Sequence, residues 1–142
     1  AKQLALYVTI YSPIQMLADL PENYLGKAEF QFLSDVPTNW EDTKVLNSEI
    51  GEYITTVRKD LNSDDWYLGS MTNEEARNLE IDLAFLGEGK FIAQIYADAK
   101  GTDLENNPSK IEISEQEVSS IDRISLKLPK GGGIAIRFKK IN

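Results

Sequence analysis

The sequence predicts a mainly β chain, in which everything from about residue 50 onward folds as an antiparallel β-sandwich of about seven strands. Two observations carry this. Beyond residue 50 apolar and polar residues alternate: Ile81, Leu83 and Phe85 with Glu80, Asp82 and Ala84, and Ile134, Ile136 and Phe138 with Ala135, Arg137 and Lys139. Half-buried antiparallel strands have this period of two. The runs are also divided by explicit turn sequences at Asn62-Ser63-Asp64, Gly87-Glu88-Gly89, Asn106-Asn107-Pro108 and Lys130 to Gly133. Short strands at such regular spacing are the pattern of a sandwich.

The first part of the chain has a different character, with dense apolar clusters separated by Pro13, Pro21 and Pro37. In the run Leu4 to Tyr11, Leu4, Val8 and Tyr11 share a helical face, yet Leu4, Leu6, Val8 and Ile10 share a strand face equally well. Periodicity does not arbitrate. Pro13 disfavours helical geometry at Ser12, so either element ends there. Ile14 to Asp19 reads as a short buried strand ending in a carboxylate, Pro21 to Gly26 as loop, and Ala28 to Ser34 as a short helix stopped by Pro37. The strands expected after that are Glu52–Arg58, Trp66–Met71, Asn78–Phe85, Phe91–Ala97, Lys110–Ile113, Ile124–Leu128 and Ile134–Phe138.

The sequence holds neither Cys nor His. That removes disulfides, thiol chemistry, serine triads and zinc sites, and leaves carboxylates, Lys, Tyr and hydroxyls for any chemistry. Against 15 Lys and Arg stand 23 Asp and Glu, a net charge of −8. An acidic chain is a poor partner for nucleic acid, and its one cationic cluster, Arg137, Lys139 and Lys140, reads as a solvated terminal strand. No run reaches the length of a membrane span, and Leu4 to Tyr11 lacks the flanks of a signal peptide. An opening Ala1-Lys2-Gln3 that passes at once into a buried-looking segment is expected of a fragment of a larger protein.

Three stretches together resemble glycoside hydrolase family 97, the α-glucosidases and α-galactosidases found largely in gut Bacteroidetes. They are Gln3-Leu4-Ala5-Leu6-Tyr7 with Tyr11-Ser12-Pro13-Ile14-Gln15-Met16 and Asp19-Leu20-Pro21-Glu22-Asn23-Tyr24; Asp65-Trp66-Tyr67-Leu68-Gly69-Ser70-Met71-Thr72; and Pro129-Lys130-Gly131-Gly132-Gly133. The resemblance implies that residues 1–45 are the last helix, strand and closing helix of a (β/α)₈ catalytic barrel, and that residues 46–142 are the C-terminal β-sandwich. It makes Leu4 to Tyr11 a helix. It places the catalytic carboxylates, and those binding calcium, upstream of this chain. The function it implies is a non-catalytic C-terminal part of a glycoside hydrolase, structural and oligomerising, in a periplasmic or secreted parent. The partners are then the rest of that parent, further copies of it, and carbohydrate through the parent.

The residues agree with a non-catalytic role. Glycoside hydrolysis needs two carboxyl groups converging on one bond, ~5 Å apart for retention and ~6.5–9.5 Å for inversion. The acidic pairs Glu41-Asp42, Asp64-Asp65 and Glu74-Glu75 are sequence neighbours whose side chains tend to diverge, and they read as turn charge. No catalytic residue is assigned. As the end of a barrel strand, Asp19, with Gln15, is a candidate to support a sugar site, the alternative being that Asp19 hydrogen-bonds the loop after it. Asp103 and Glu105, in the oxygen-rich run to Asn107, are candidate calcium ligands, although they lack the pattern of an EF-hand. An ordinary polar loop covers them.

Trp40, Trp66, Tyr67 and Tyr96 raise a rival reading, a carbohydrate-binding module gripping α-glucans with an exposed aromatic. On a strand, Trp66 and Tyr67 point to opposite faces, so at most one is expected in the core. Gly131-Gly132-Gly133 precedes a strand and lacks the residues of a phosphate loop; a tight hairpin with positive φ is expected. Cutting a barrel exposes apolar surface, so Leu4, Leu6, Val8, Ile10, Ile14 and Met16 are expected to seek cover outside the chain.

Overall fold

The computed structural model describes residues 1–102 and 110–141. Two short helices, α1 (Lys2–Thr9) and α2 (Phe30–Asp35), precede eight strands: β1 (Trp40–Glu49), β2 (Tyr53–Asp60), β3 (Trp66–Thr72), β4 (Arg77–Asp82), β5 (Lys90–Asp98), β6 (Ile111–Ser119), β7 (Arg123–Leu128) and β8 (Gly133–Ile141). All pairings are antiparallel, in a six-stranded sheet of order β1-β2-β3-β8-β5-β6 and a two-stranded sheet β4-β7.

The alternation read from the sequence builds the first core. Val57, Leu68, Phe91, Ile136 and Phe138 point from the large sheet toward Ile81, Ile124, Leu126 and Leu128 of the small one. Trp66 joins this layer, edge-on to Phe85, which in turn packs on Phe138. The opposite face of the large sheet is covered too. Leu4, Ala5 and Val8, one flank of α1, lie on it with Phe32 of α2, above Tyr67, Tyr96 and Ala135. Trp66 and Tyr67 are therefore both buried, at 5% and 1% exposure, which corrects the expectation that at most one enters a core. Opposite pointing leaves one side chain exposed only where one face of the sheet is bare, and here neither is.

Several elements differ from expectation, each for a local reason. β1 was not foreseen, because an edge strand with two register shifts, after Trp40 and after Val45, carries no clean alternation. It runs across positions 45 and 46, where the sequence expectation divides the chain. β4 ends at Asp82, whose Oδ1 accepts from the Ala84 N–H (2.9 Å) and turns the chain into a 3₁₀ segment, Ala84–Leu86. β6 extends to Ser119 through the polar run Ser114 to Glu117, which an edge position tolerates. Residues 14–19 pair with neither edge of the large sheet and form no strand, and Ile14 and Met16 stay exposed.

The three glycines at 131–133 do make a tight turn, with Gly131 at φ 65°, yet it joins β7 of the small sheet to β8 of the large one and closes no hairpin. Each glycine answers to a different demand. Gly131 supplies the positive φ, while a Cβ on Gly132 would stand 2.5 Å from Asp98 Oδ2 and one on Gly133 would stand 2.7 Å from Lys2 Cα. Asp98 fixes the same corner, accepting from the Gly133 N–H (2.8 Å) and from the Ala1 nitrogen (2.6 Å).

Candidate functional site

The face of the large sheet under α1 and α2 carries two arginines on the strands that flank β3, and each holds a helix. Arg58 on β2 donates from Nε to the Val8 carbonyl at the end of α1 (2.6 Å) and from Nη1 to Thr43 Oγ1 (3.0 Å). A helix end has carbonyls without helical partners and a negative dipole, and a guanidinium answers both. Its plane also faces Tyr11 and Trp40, 5.6 and 5.8 Å from the ring centres. Burial lowers the pKa of Arg58, opposed by Tyr11, but an arginine this far above neutrality stays charged.

Arg137 on β8 bridges two carboxylates: Nη1 to Asp35 Oδ2 at the end of α2 (2.5 Å), and Nη2 and Nε to Asp65 Oδ2 (2.9 and 3.0 Å). Asp65 is satisfied further by the Lys140 N–H on its Oδ1 (3.0 Å). Burial works against the Arg137 charge, but Tyr67, Asp65 and Asp35 outweigh it and hold the pKa above its ordinary value. Between the arginines Tyr67 donates its hydroxyl to the Asp35 carbonyl (2.8 Å), and burial pushes its pKa well up. Phe32 packs edge-on against both Tyr67 and Tyr96. The arrangement clamps the helices to the sheet and presents no free nucleophile, acid or base.

Beyond α1 the surface changes. Seven apolar residues between positions 10 and 25, Ile10, Tyr11, Ile14, Met16, Leu17, Leu20 and Leu25, are exposed, Met16 at 79%. Scattered exposed apolar residues are normal, but a run of this density is an unpartnered surface. The set expected to seek cover outside the chain thus divides. Leu4 and Val8 are buried on the sheet, which corrects that expectation for them, Leu6 is half-buried, and Ile10, Ile14 and Met16 are exposed.

The other residues named from sequence are placed as follows. Gln15 lies in the 10–25 segment, its Nε2 near the Ile10 carbonyl (3.4 Å), and Asp19 Oδ1 accepts from the Leu20 N–H (2.7 Å) and from Asn23 Nδ2 (2.6 Å). Those bonds lower the pKa of Asp19, that from Asn23 foremost. Asp103 and Glu105 lie outside the described residues. Two of the three acidic pairs go to neighbouring cations: Glu41 to Lys59 (2.7 Å), Asp42 to Lys44 (3.1 Å), Asp64 to Lys140 (3.1 Å) and Asp65 to Arg137; in the third, the Glu75 N–H donates to Asn73 Oδ1 (3.0 Å) in the turn after β3. Among the described residues no three carboxylates gather into a metal site, and no helix is long and apolar enough to cross a membrane. Trp66, Tyr67 and Tyr96 are buried, so none offers a ring face to a sugar. Arg137, expected from sequence to be a solvated charge beside Lys139 and Lys140, is instead held largely out of solvent between Asp35 and Asp65, which corrects that expectation, and Arg58 was not singled out. The signal was there: a charge next to Val57, or between Ile136 and Phe138, on strands whose other face is core.

A family described as the glycosyl-hydrolase 97 C-terminal domain, with a role in oligomerisation, matches residues 39–139, a span that holds β1 to β7 and all but the last two residues of β8. The chain belongs to this family.

The family 97 match begins one residue before β1, and the similarity of whole chains extends it through both helices. A glycoside hydrolase family 97 enzyme from Pseudoalteromonas sp. strain K8, solved in complex with panose and with acarbose, is 48% identical over 100% of this chain, with a TM-score of 0.96. A retaining α-galactosidase of Bacteroides thetaiotaomicron is 35% identical over 97% of it, and a probable retaining α-galactosidase of Streptomyces bingchenggensis 27% over 95%. A β-arabinopyranosidase structure is 25% identical with a TM-score of 0.76. The chain spans about a fifth of these relatives: 20% of each curated protein and 22% of the Pseudoalteromonas enzyme.

Proposed function

We propose that the chain is the non-catalytic C-terminal part of an exported glycoside hydrolase acting on α-galactosides or α-glucosides. In this reading residues 1–39 complete the catalytic barrel, and the sandwich that begins at Trp40 anchors them and supports assembly of the parent. The first substrate class is suggested by the names of the curated relatives, the second by the panose-bound neighbour. The catalytic carboxylates and any calcium ligands belong to the portion of the parent outside this chain.

The single observation that carries the reading is the contrast between the two sides of α1. Its inner flank is sealed on the sheet, while the 10–25 segment that follows leaves seven apolar residues in water. Burying a side chain of that size contributes roughly 1.5–3 kcal/mol, so a partner covering the segment gains a substantial contact. In the parent that partner is the rest of the barrel.

Hydrogen exchange tests this directly on the full-length protein and on the 142-residue chain. Amides of residues 10–25 are expected to exchange slowly in the former and fast in the latter. Equal exchange in both overturns the reading. On the same material, p-nitrophenyl α-galactoside or α-glucoside is expected to turn over only with the full-length protein.

A further inference from the structure

The sandwich carries a second apolar feature that the clamp does not use. At the tip of the β1–β2 hairpin Ile50 is fully exposed, between Glu49 and Gly51, the latter at φ 82°. A turn needs a glycine there and has no need of a protruding isoleucine. Ile50 lines a groove together with Ile54 and Met71 of the sheet and Lys2 and Leu6 of α1, with Glu49 and Glu52 also on its lining. The groove is mainly apolar, and Lys2, which lines it, donates Nζ to the Thr72 carbonyl (3.0 Å).

The groove does not end at the sandwich. Leu6 lies one helical turn before Ile10, and Ile10 opens the exposed 10–25 segment. Hairpin tip, groove and segment therefore form one apolar band on the side of the sheet that the helices cover. Four-fifths of the curated relatives' length lies outside the span of this chain, enough to supply a single partner for the whole band.

We propose that the β1–β2 hairpin is an arm of the sandwich that docks on the catalytic portion of its own parent, with Ile50 as the anchor and the groove beside α1 as the seat for an apolar ridge of that portion. This rests on the reading that the chain is the C-terminal part of such a parent. It goes beyond it in assigning the sandwich, and not only residues 1–39, a contact with the catalytic portion. The occupant is the stretch of polypeptide preceding position 1 in the same molecule, and not a second copy.

Photo-crosslinking in the full-length protein tests it. With p-benzoylphenylalanine placed at position 50, the expected cross-linked peptides come from residues preceding position 1 in the same polypeptide. Mixing isotopically labelled and unlabelled protein identifies contacts between copies, and cross-links made mainly to another copy overturn the proposal. The same probe at position 16 serves as the control. Cross-links from position 16 but none from position 50 overturn the arm and leave the proposed function standing, while none from either position overturns both. As a second readout, Ile50→Asp is expected to leave the unfolding midpoint of the 142-residue chain unchanged and to speed exchange at residues 48–54 of the full-length protein at least tenfold. Unaltered exchange there overturns the arm.

Discussion

Gly69 on β3 lies directly beneath the backbone of α1, so that a Cβ built on it would stand 2.5 Å from the carbonyl oxygen of Ala5. The same Cβ would meet Val8 Cβ at 2.9 Å. A helix and a strand at this distance have no room for a methyl group, and the helix must lift if one is added. Overpacking of this kind costs roughly 1–3 kcal/mol. Gly69→Ala is expected to destabilise the chain by about 2 kcal/mol in urea unfolding, with the loss traceable to α1 by hydrogen exchange.

Arg137 is expected to matter more than its partial exposure suggests, because it serves two carboxylates at once. Arg137→Ala strands Asp35 and weakens the satisfaction of Asp65, and is expected to cost about 2–3 kcal/mol, at or below the roughly 3–5 kcal/mol of breaking a fully buried pair because these side chains are partly exposed. Arg137→Lys is expected to recover less than half of that. A single ammonium cannot reproduce the fork that reaches Asp35 from one nitrogen and Asp65 from two others. Thermal melts of the two variants check both statements.

The Tyr67 hydroxyl supports a pH prediction. Burial raises its pKa above the ordinary tyrosine value near 10, so folding favours the protonated phenol. The contribution is fully present below pH ~10 and is lost as pH climbs through the raised folded value. Stability is expected to fall with rising pH above ~10, less steeply in Tyr67→Phe. Absorbance titration near 295 nm is expected to show late-ionising tyrosines, Tyr67 and the likewise buried Tyr96, with one fewer in Tyr67→Phe. Below pH 9 Tyr67→Phe is expected to cost about 1 kcal/mol, the worth of the bond to the Asp35 carbonyl.

Trp66 separates packing from sugar binding. It is buried between the sheets against Phe85, and Trp66→Ala is expected to cost about 3–5 kcal/mol. Calorimetric titration of the unsubstituted chain with maltose or longer α-glucans is expected to show no saturable heat that depends on this ring. Binding lost in a still-folded Trp66→Ala variant would contradict the packing seen here.

The exposed segment gives the opposite signature. Ile14→Asp with Met16→Asp is expected to change the stability of the 142-residue chain by less than about 0.5 kcal/mol, as surface substitutions do. In the full-length protein the same pair is expected to lower the melting temperature, since the two charges would enter a dry contact. Differential scanning calorimetry of both lengths checks it.

Legibility varied with burial. β5, β7 and β8 were readable because each presents one face to the core between the sheets and the alternation records it. β1 was not, because at an edge, with two register shifts and polar residues on both faces, nothing in the pattern distinguishes a strand from a loop. Residues 14–19 mislead in the other direction. Their apolar run is what a buried strand needs, but a strand also needs a partner strand, and residues 14–19 pair with neither β1 nor β6 at the edges of the sheet. The clamp was opaque for a related reason: Arg58 and Arg137 acquire their roles only when the ends of α1 and α2 are brought onto them, from 50 and 102 residues away in sequence.

Composition, turn chemistry and the period of two determined by themselves that this is a mainly β chain without thiol or imidazole chemistry, and three motifs together pointed to family 97, because these are local properties of the sequence. Only the tertiary structure decided that the large sheet is buried on both faces, that Trp66 and Tyr67 belong to two separate cores, and that the glycine run links two sheets. Those outcomes depend on which elements meet, and a strand's own residues specify that it has two faces but not what will cover each of them.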